Sequence, residues 1–126
     1  MVSIQISYGE LADRVSIIAV KLAHILDTDK REELTRQADA LVPLLTKALD
    51  CGGTHYRALL GVNTQLWDIE DALRRCESLG RFDASFIHFA RQVYTLNDKR
   101  YAIKRQIDEI TGCDMYEVKE LPKYDS

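Results

Sequence analysis

Apolar residues return at alternating spacings of four and three through successive stretches of this chain, and that rhythm admits few folds. In the first stretch it falls on Leu11, Val15, Ile18, Leu22 and Ile25, and in the second on Leu34, Ala38, Leu41, Leu45 and Ala48. A third stretch carries it on Leu59, Val62, Leu66, Ile69, Leu73 and Cys76. Such spacing draws one apolar stripe along an α-helix, a coiled-coil-like seam that another helix must cover. At about 100° per residue, a fourth stretch gathers Phe86, Phe89, Ala90, Val93, Leu96, Ile103 and Ile107 on one face.

The punctuation between stretches agrees. Ser7-Tyr8-Gly9-Glu10 has the form of a capping box, in which Ser7 and Glu10 satisfy each other's orphan amides. Asp27-Thr28-Asp29 ends the first helix and caps the second, and Cys51-Gly52-Gly53 stops the second before Thr54, a suitable N-cap. Gly80 suits the C′ position of the third helix and Asp83 the N-cap of the fourth. These signals predict helices over 8–26, 30–50, 55–79 and 84–111, with an extended start at 1–7 and a tail at 112–126. Pro43 removes an amide inside the second helix and predicts a kink near Leu41–Pro43, or a split there. Short loops between the four require an antiparallel up-down-up-down four-helix bundle. Its last two helices form a hairpin longer than the first pair. Val2, Ile4 and Ile6 alternate with polar residues, so a short terminal β-ribbon with Met115–Leu121 is a further expectation.

Composition narrows the function classes. With 126 residues the chain makes one domain with a core of its own. A net charge of −3 provides no broad basic field, which argues against general nucleic-acid binding. Apolar runs fall far short of a membrane span, and MVSIQISYGE lacks the features of a secretory signal. Three cysteines without CxxC spacing argue against a disulfide framework or a zinc site and favour a reduced, cytoplasmic setting. No cofactor motif is evident.

The chemistry in the sequence lies in polar residues near apolar seams. Arg100 falls close to the centre of the fourth helix's apolar face, with Asn97 and Lys104 to one side. Asn63, Glu70 and Glu77 edge the third seam, and Glu10, Arg14 and Lys21 flank the first. Charges directed into a bundle cost several kcal/mol each unless paired, so a Glu70–Arg100 ion pair is expected. Such a network can simply hold helix register. Alternatively, Arg14, Lys21, Glu70, Asn97, Arg100 and Lys104 would line a pocket for a phosphate or carboxylate ligand, which guanidinium and ammonium groups recognise.

Several of these residues also carry a resemblance. Gly9-Glu10-Leu11-Ala12-Asp13-Arg14, Leu66-Trp67-Asp68-Ile69-Glu70-Asp71, Phe82-Asp83, Phe86-Ile87, Ala90-Arg91, Val93-Tyr94, Asn97-Asp98, Arg100 and Ile103-Lys104 occur in order. In this the chain resembles a family of small bacterial helical proteins of unknown function, from about Ser7 to Ile107. The resemblance implies a helical fold and no activity. Ala12 stands where that pattern has a larger aliphatic residue, and Arg14 where it has lysine.

Other constellations are weaker. Glu10 with Asp13, and Asp68 with Asp71, are acidic pairs one helical turn apart, a spacing that can hold Mg²⁺ from facing helices. Asp13 and Asp71 point away from the seams, which favours solvated faces and no metal. His24, His55 and His88 lack metal spacing, and His24 and His88 are expected to face solvent. Cys76 reads as a small core residue. Trp67 is expected to pack against Tyr94 or Tyr101, or to anchor a subunit contact. Leu79, Phe82 and Phe86 would lie exposed on the overhanging hairpin. The reading that emerges is a cytoplasmic, homodimeric helical interaction module, with an anion-binding protein or enzyme as the alternative.

Overall fold

Ser7 begins the first helix through its side chain: its Oγ accepts the Glu10 amide at 3.1 Å. In the computed structural model, which describes residues 1–113, four helices follow. They are α1 (Tyr8–His24), α2 (Thr28–Leu45), α3 (Thr54–Ser78) and α4 (Ala84–Ile110). Asp27 caps α2 by accepting the Lys30 amide at 2.9 Å, and Asp83 caps α4 by accepting the Ser85 amide at 3.1 Å. At α3 the N-cap is Gly53, with no side-chain hydrogen bond, and Thr54 is already helical. Gly80 and Gly112 close α3 and α4 with φ of 62° and 68°, left-handed values that cost a side chain dearly.

Two features differ from the sequence reading, beyond shifts of a few residues at the helix ends. Pro43 lies inside α2 without splitting it, and the helix ends soon after, at Leu45. Position explains this: a proline near the C-terminal end disturbs only the last turns. The alternating residues Val2, Ile4 and Ile6 form no strand and are exposed. The partner expected at Met115–Leu121 lies outside the described residues.

The four helices make an all-α bundle with α1 as its central member. α1 packs against α2, α3 and α4, whereas α2 packs closely against α1 alone. Because Gly9 meets Asp108, Asp13 meets Arg100, and His24 meets Trp67, α1 runs antiparallel to α4 and parallel to α3. A helix with neighbours on several sides buries more than one stripe. Leu11, Val15 and Ile18 are buried as their spacing predicts, but so are Gly9, Ala12, Asp13, Ser16 and Val20. Ala12 is fully enclosed, leaving no room for the larger residue of the resembled pattern without repacking.

The main core joins Leu11, Ala12 and Val15 to Leu45, Leu49, Tyr56, Leu59 and Ile107. Higher up, Val62 and Leu66 of α3 meet Leu96 of α4. Past Leu66, α3 buries only Cys76, and α4 buries nothing before Leu96. The α3–α4 hairpin therefore has a covered half and an uncovered half. α1 ends between them, at His24.

Candidate functional site

Asp13 projects from α1 toward α3 and α4, and it organises the polar interior. Its residue is only 4% exposed. Arg100 of α4 holds it with two parallel bonds, Nε to Oδ1 at 2.8 Å and Nη2 to Oδ2. This fork-on-carboxylate geometry is the strongest ion pairing available to protein side chains. Asn63 of α3 donates from Nδ2 to Asp13 Oδ1 at 3.0 Å and to Ser16 Oγ at 2.7 Å. The Ser16 hydroxyl donates in turn to the Asp13 carbonyl at 2.8 Å. Three helices are thereby tied at one level, and a buried carboxylate is neutralised where an unpaired one would be very costly.

A second and a third tie lie below. Lys104 Nζ is 2.5 Å from Glu10 Oε1. The Glu10 carboxylate thus serves α4, and only the Ser7 half of the expected capping box forms. The Gly9 amide donates to buried Asp108 Oδ1 at 2.7 Å. A Cβ at Gly9 would sit 2.6 Å from that same oxygen and closer still to the Lys104 backbone carbonyl. Glycine is what lets α1 approach α4 this closely.

These contacts revise several expectations. Arg100 pairs with Asp13 and not with Glu70, which is exposed and forms no ion pair among the described residues. The single-stripe reading of α1 placed Asp13 on a solvated face. The central position of that helix turns this face inward. His24 is exposed as expected, and it also stacks on Trp67 at 4.7 Å and 28°, with Nδ1 2.8 Å from the Val20 carbonyl and Nε2 3.9 Å from Asp68. Trp67 thus meets α1 rather than Tyr94 or Tyr101, and its buried Nε1 has no hydrogen-bond partner among the described residues. Among the described residues, no group of three or more His, Cys, Asp or Glu side chains is placed to hold a metal ion.

Above the Asp13 network a cleft of about 290 Å³ opens between α1 and the α3–α4 hairpin. Of the six residues singled out from sequence, Lys21, Glu70 and Arg100 line it. Lys104 is committed to Glu10, Arg14 is exposed outside the cleft, and Asn97 is half-buried and does not line it. Asn63, Trp67, Asp71 and Arg74 complete its polar lining. Asp13 and Asn63 were the residues sequence reasoning undervalued. Their signal was adjacency to apolar positions, Asp13 beside Ala12 and Asn63 beside Val62, both of which are buried.

Elsewhere, burial pushes the Cys51 thiol up, with Asp50 adding to the shift, and burial likewise raises the Tyr56 phenol, with Cys51 adding. Those neutral groups favour packing over nucleophilic chemistry.

The fold and its polar interior define a small all-α domain whose central helix is pinned to a long helical hairpin by buried ion pairs. No curated protein matches the chain, and no solved structure does. The chain belongs to the Family of unknown function (DUF6165), which it matches over residues 2–122. No helix among the described residues is long and apolar enough to cross a membrane.

Proposed function

We propose that the protein is a helical interaction module that pairs with a second copy of itself through the uncovered half of the α3–α4 hairpin. The observation that carries this reading is the exposure of that half: Leu79 is 65% exposed, and Phe82 and Ile87 are each 56% exposed. Phe82 and Phe86 already meet edge-to-face at 5.2 Å, a preformed aromatic pair at the tip. Two uncovered hairpins laid against each other would rebuild the four-helix cross-section that α1 supplies lower down. Glu77 and Arg81 give this surface charge of both signs, as a self-complementary interface requires. The thiols at Cys51 and Cys76, in no disulfide, suit a reducing compartment such as the cytoplasm.

Sedimentation across a concentration series tests the proposal. Wild type should show a monomer–dimer equilibrium, and the double substitution Phe82→Glu with Ile87→Glu should leave a folded monomer by circular dichroism. A wild-type chain that stays monomeric at about 100 μM, a dissociation constant too weak for a specific dimer, rules it out.

A further inference from the structure

The cleft above Asp13 has a charge pattern that selects its ligand. Asn63, 6% exposed, lines this cleft while its amide nitrogen is spent inward on Asp13 and Ser16. Its orientation is fixed by chemistry: the Asp13 carboxylate only accepts, and the Ser16 hydroxyl proton is already given to the Asp13 carbonyl. The Asn63 oxygen is therefore an acceptor, and it accepts no hydrogen bond from any described residue. Asn63 lines the cleft, so a donor on a bound ligand can meet this oxygen there.

The rim supplies the rest. Lys21 of α1 and Arg74 of α3 are exposed cations with no ion pair among the described residues. Glu70 and Asp71 of α3 are exposed carboxylates, likewise without one. Leu66 and Trp67 give the cleft an apolar wall. A simple anion bound here would face two unpaired carboxylates, and a simple cation would face Lys21 and Arg74. Only a molecule with both signs answers both sets.

We infer that the cleft between α1 and α3 binds a small zwitterion of the free α-amino-acid class. Its ammonium would donate to Asn63 Oδ1 and Glu70, its carboxylate would meet Lys21 and Arg74, and its side chain would lie on Trp67. The volume, about 290 Å³, lies at the small end of ligand pockets, about 300–1,000 Å³, and suits a ligand of this size. The site is separate from the hairpin tip and does not require dimerisation.

Trp67 is the chain's one tryptophan and lines the cleft, so its emission reports occupancy directly. The full chain is titrated with each free protein amino acid other than tryptophan and tyrosine. The best binder is then compared with its N-acetyl form, its carboxamide and inorganic phosphate. Saturable change with the free amino acid, weakened ~10-fold or more by blocking either charge, is the expected result. Glu70→Gln and Lys21→Gln, exposed positions that the fold does not need, should each weaken binding by a similar factor. Ile87→Glu should not weaken it. The inference fails if no amino acid saturates below about 10 mM, or if phosphate or the N-acetyl form binds as tightly as the free amino acid.

Discussion

The two halves of the α3–α4 hairpin are built from one pattern and live in different surroundings. Leu59, Val62 and Leu66 continue without a break into Ile69, Leu73 and Cys76. The first three are buried, and of the second three only Cys76 is. What differs is the cover. α1 lies over the lower half and is tied there by Asp13–Arg100, Glu10–Lys104 and Gly9–Asp108. Among the described residues, no tie of α1 lies beyond the stacking of His24 on Trp67 and its approach to Asp68. Periodicity settles that a helix has an apolar face, while burial depends on what is placed over it. The lower half has the means to hold the fold, and the upper half leaves apolar surface exposed.

The largest effect expected from this contrast comes from the central pair. Arg100→Met leaves the Asp13 carboxylate buried with only Asn63 to answer it, and should cost about 3–5 kcal/mol in urea unfolding. A loss below about 1 kcal/mol would mean that the pair is worth no more than a surface one. Gly9→Ala comes next. Its methyl group would press on the Lys104 carbonyl and Asp108, and backbone cannot swing aside as a side chain can. Overpacking of this kind costs about 1–3 kcal/mol. Because it acts on the α1–α4 contact, it should lower stability without changing association through the hairpin tip.

In the uncovered half the expectation reverses. Ile87→Ala, measured at concentrations where the chain is monomeric, should change stability by less than about 0.5 kcal/mol, since the side chain is exposed. The same substitution should weaken self-association. A loss of 2 kcal/mol or more, the cost of about a buried isoleucine, would show that the upper half is core after all and would erase the comparison.

Much of this architecture was legible in the sequence because it is local. Four helices, their Ser7, Asp27 and Asp83 caps, and their Gly80 stop each follow from a few adjacent residues. The pairing of charges was not, because it depends on where α1 sits. Arg100 was recognisable as an inward cation from its place among Leu96, Ile103 and Ile107. The seam pattern points to Glu70 as its partner because it gives α1 a single buried side, whereas the structure pairs Arg100 with Asp13. A central helix turns Asp13 and Ser16 inward along with Leu11 and Val15. Gly9 carried a similar hidden meaning: in sequence it is part of a cap, and in the structure it is the point of closest approach to α4.

The smallest expected effect is alkaline and belongs to the covered half. Tyr56 is buried in the main core, and Cys51 packs against that cluster. Burial raises both folded-state values above the ordinary 9.0 of the thiol and 10.0 of the phenol. The sign follows from linkage. Well below pH 9.0 both groups are neutral in folded and unfolded chains alike, and their contribution is complete. As the pH rises, the unfolded chain ionises first, so stability falls until the raised folded-state values are passed. Unfolding free energy measured from pH 8 to about 11 should therefore decline, and Tyr56→Phe should flatten the upper part of that decline. Ile87→Ala should leave its shape unchanged, because the titrating groups lie at the opposite end of the hairpin. An equal flattening by Ile87→Ala would place the alkaline sensitivity in the uncovered half and contradict the division between the two.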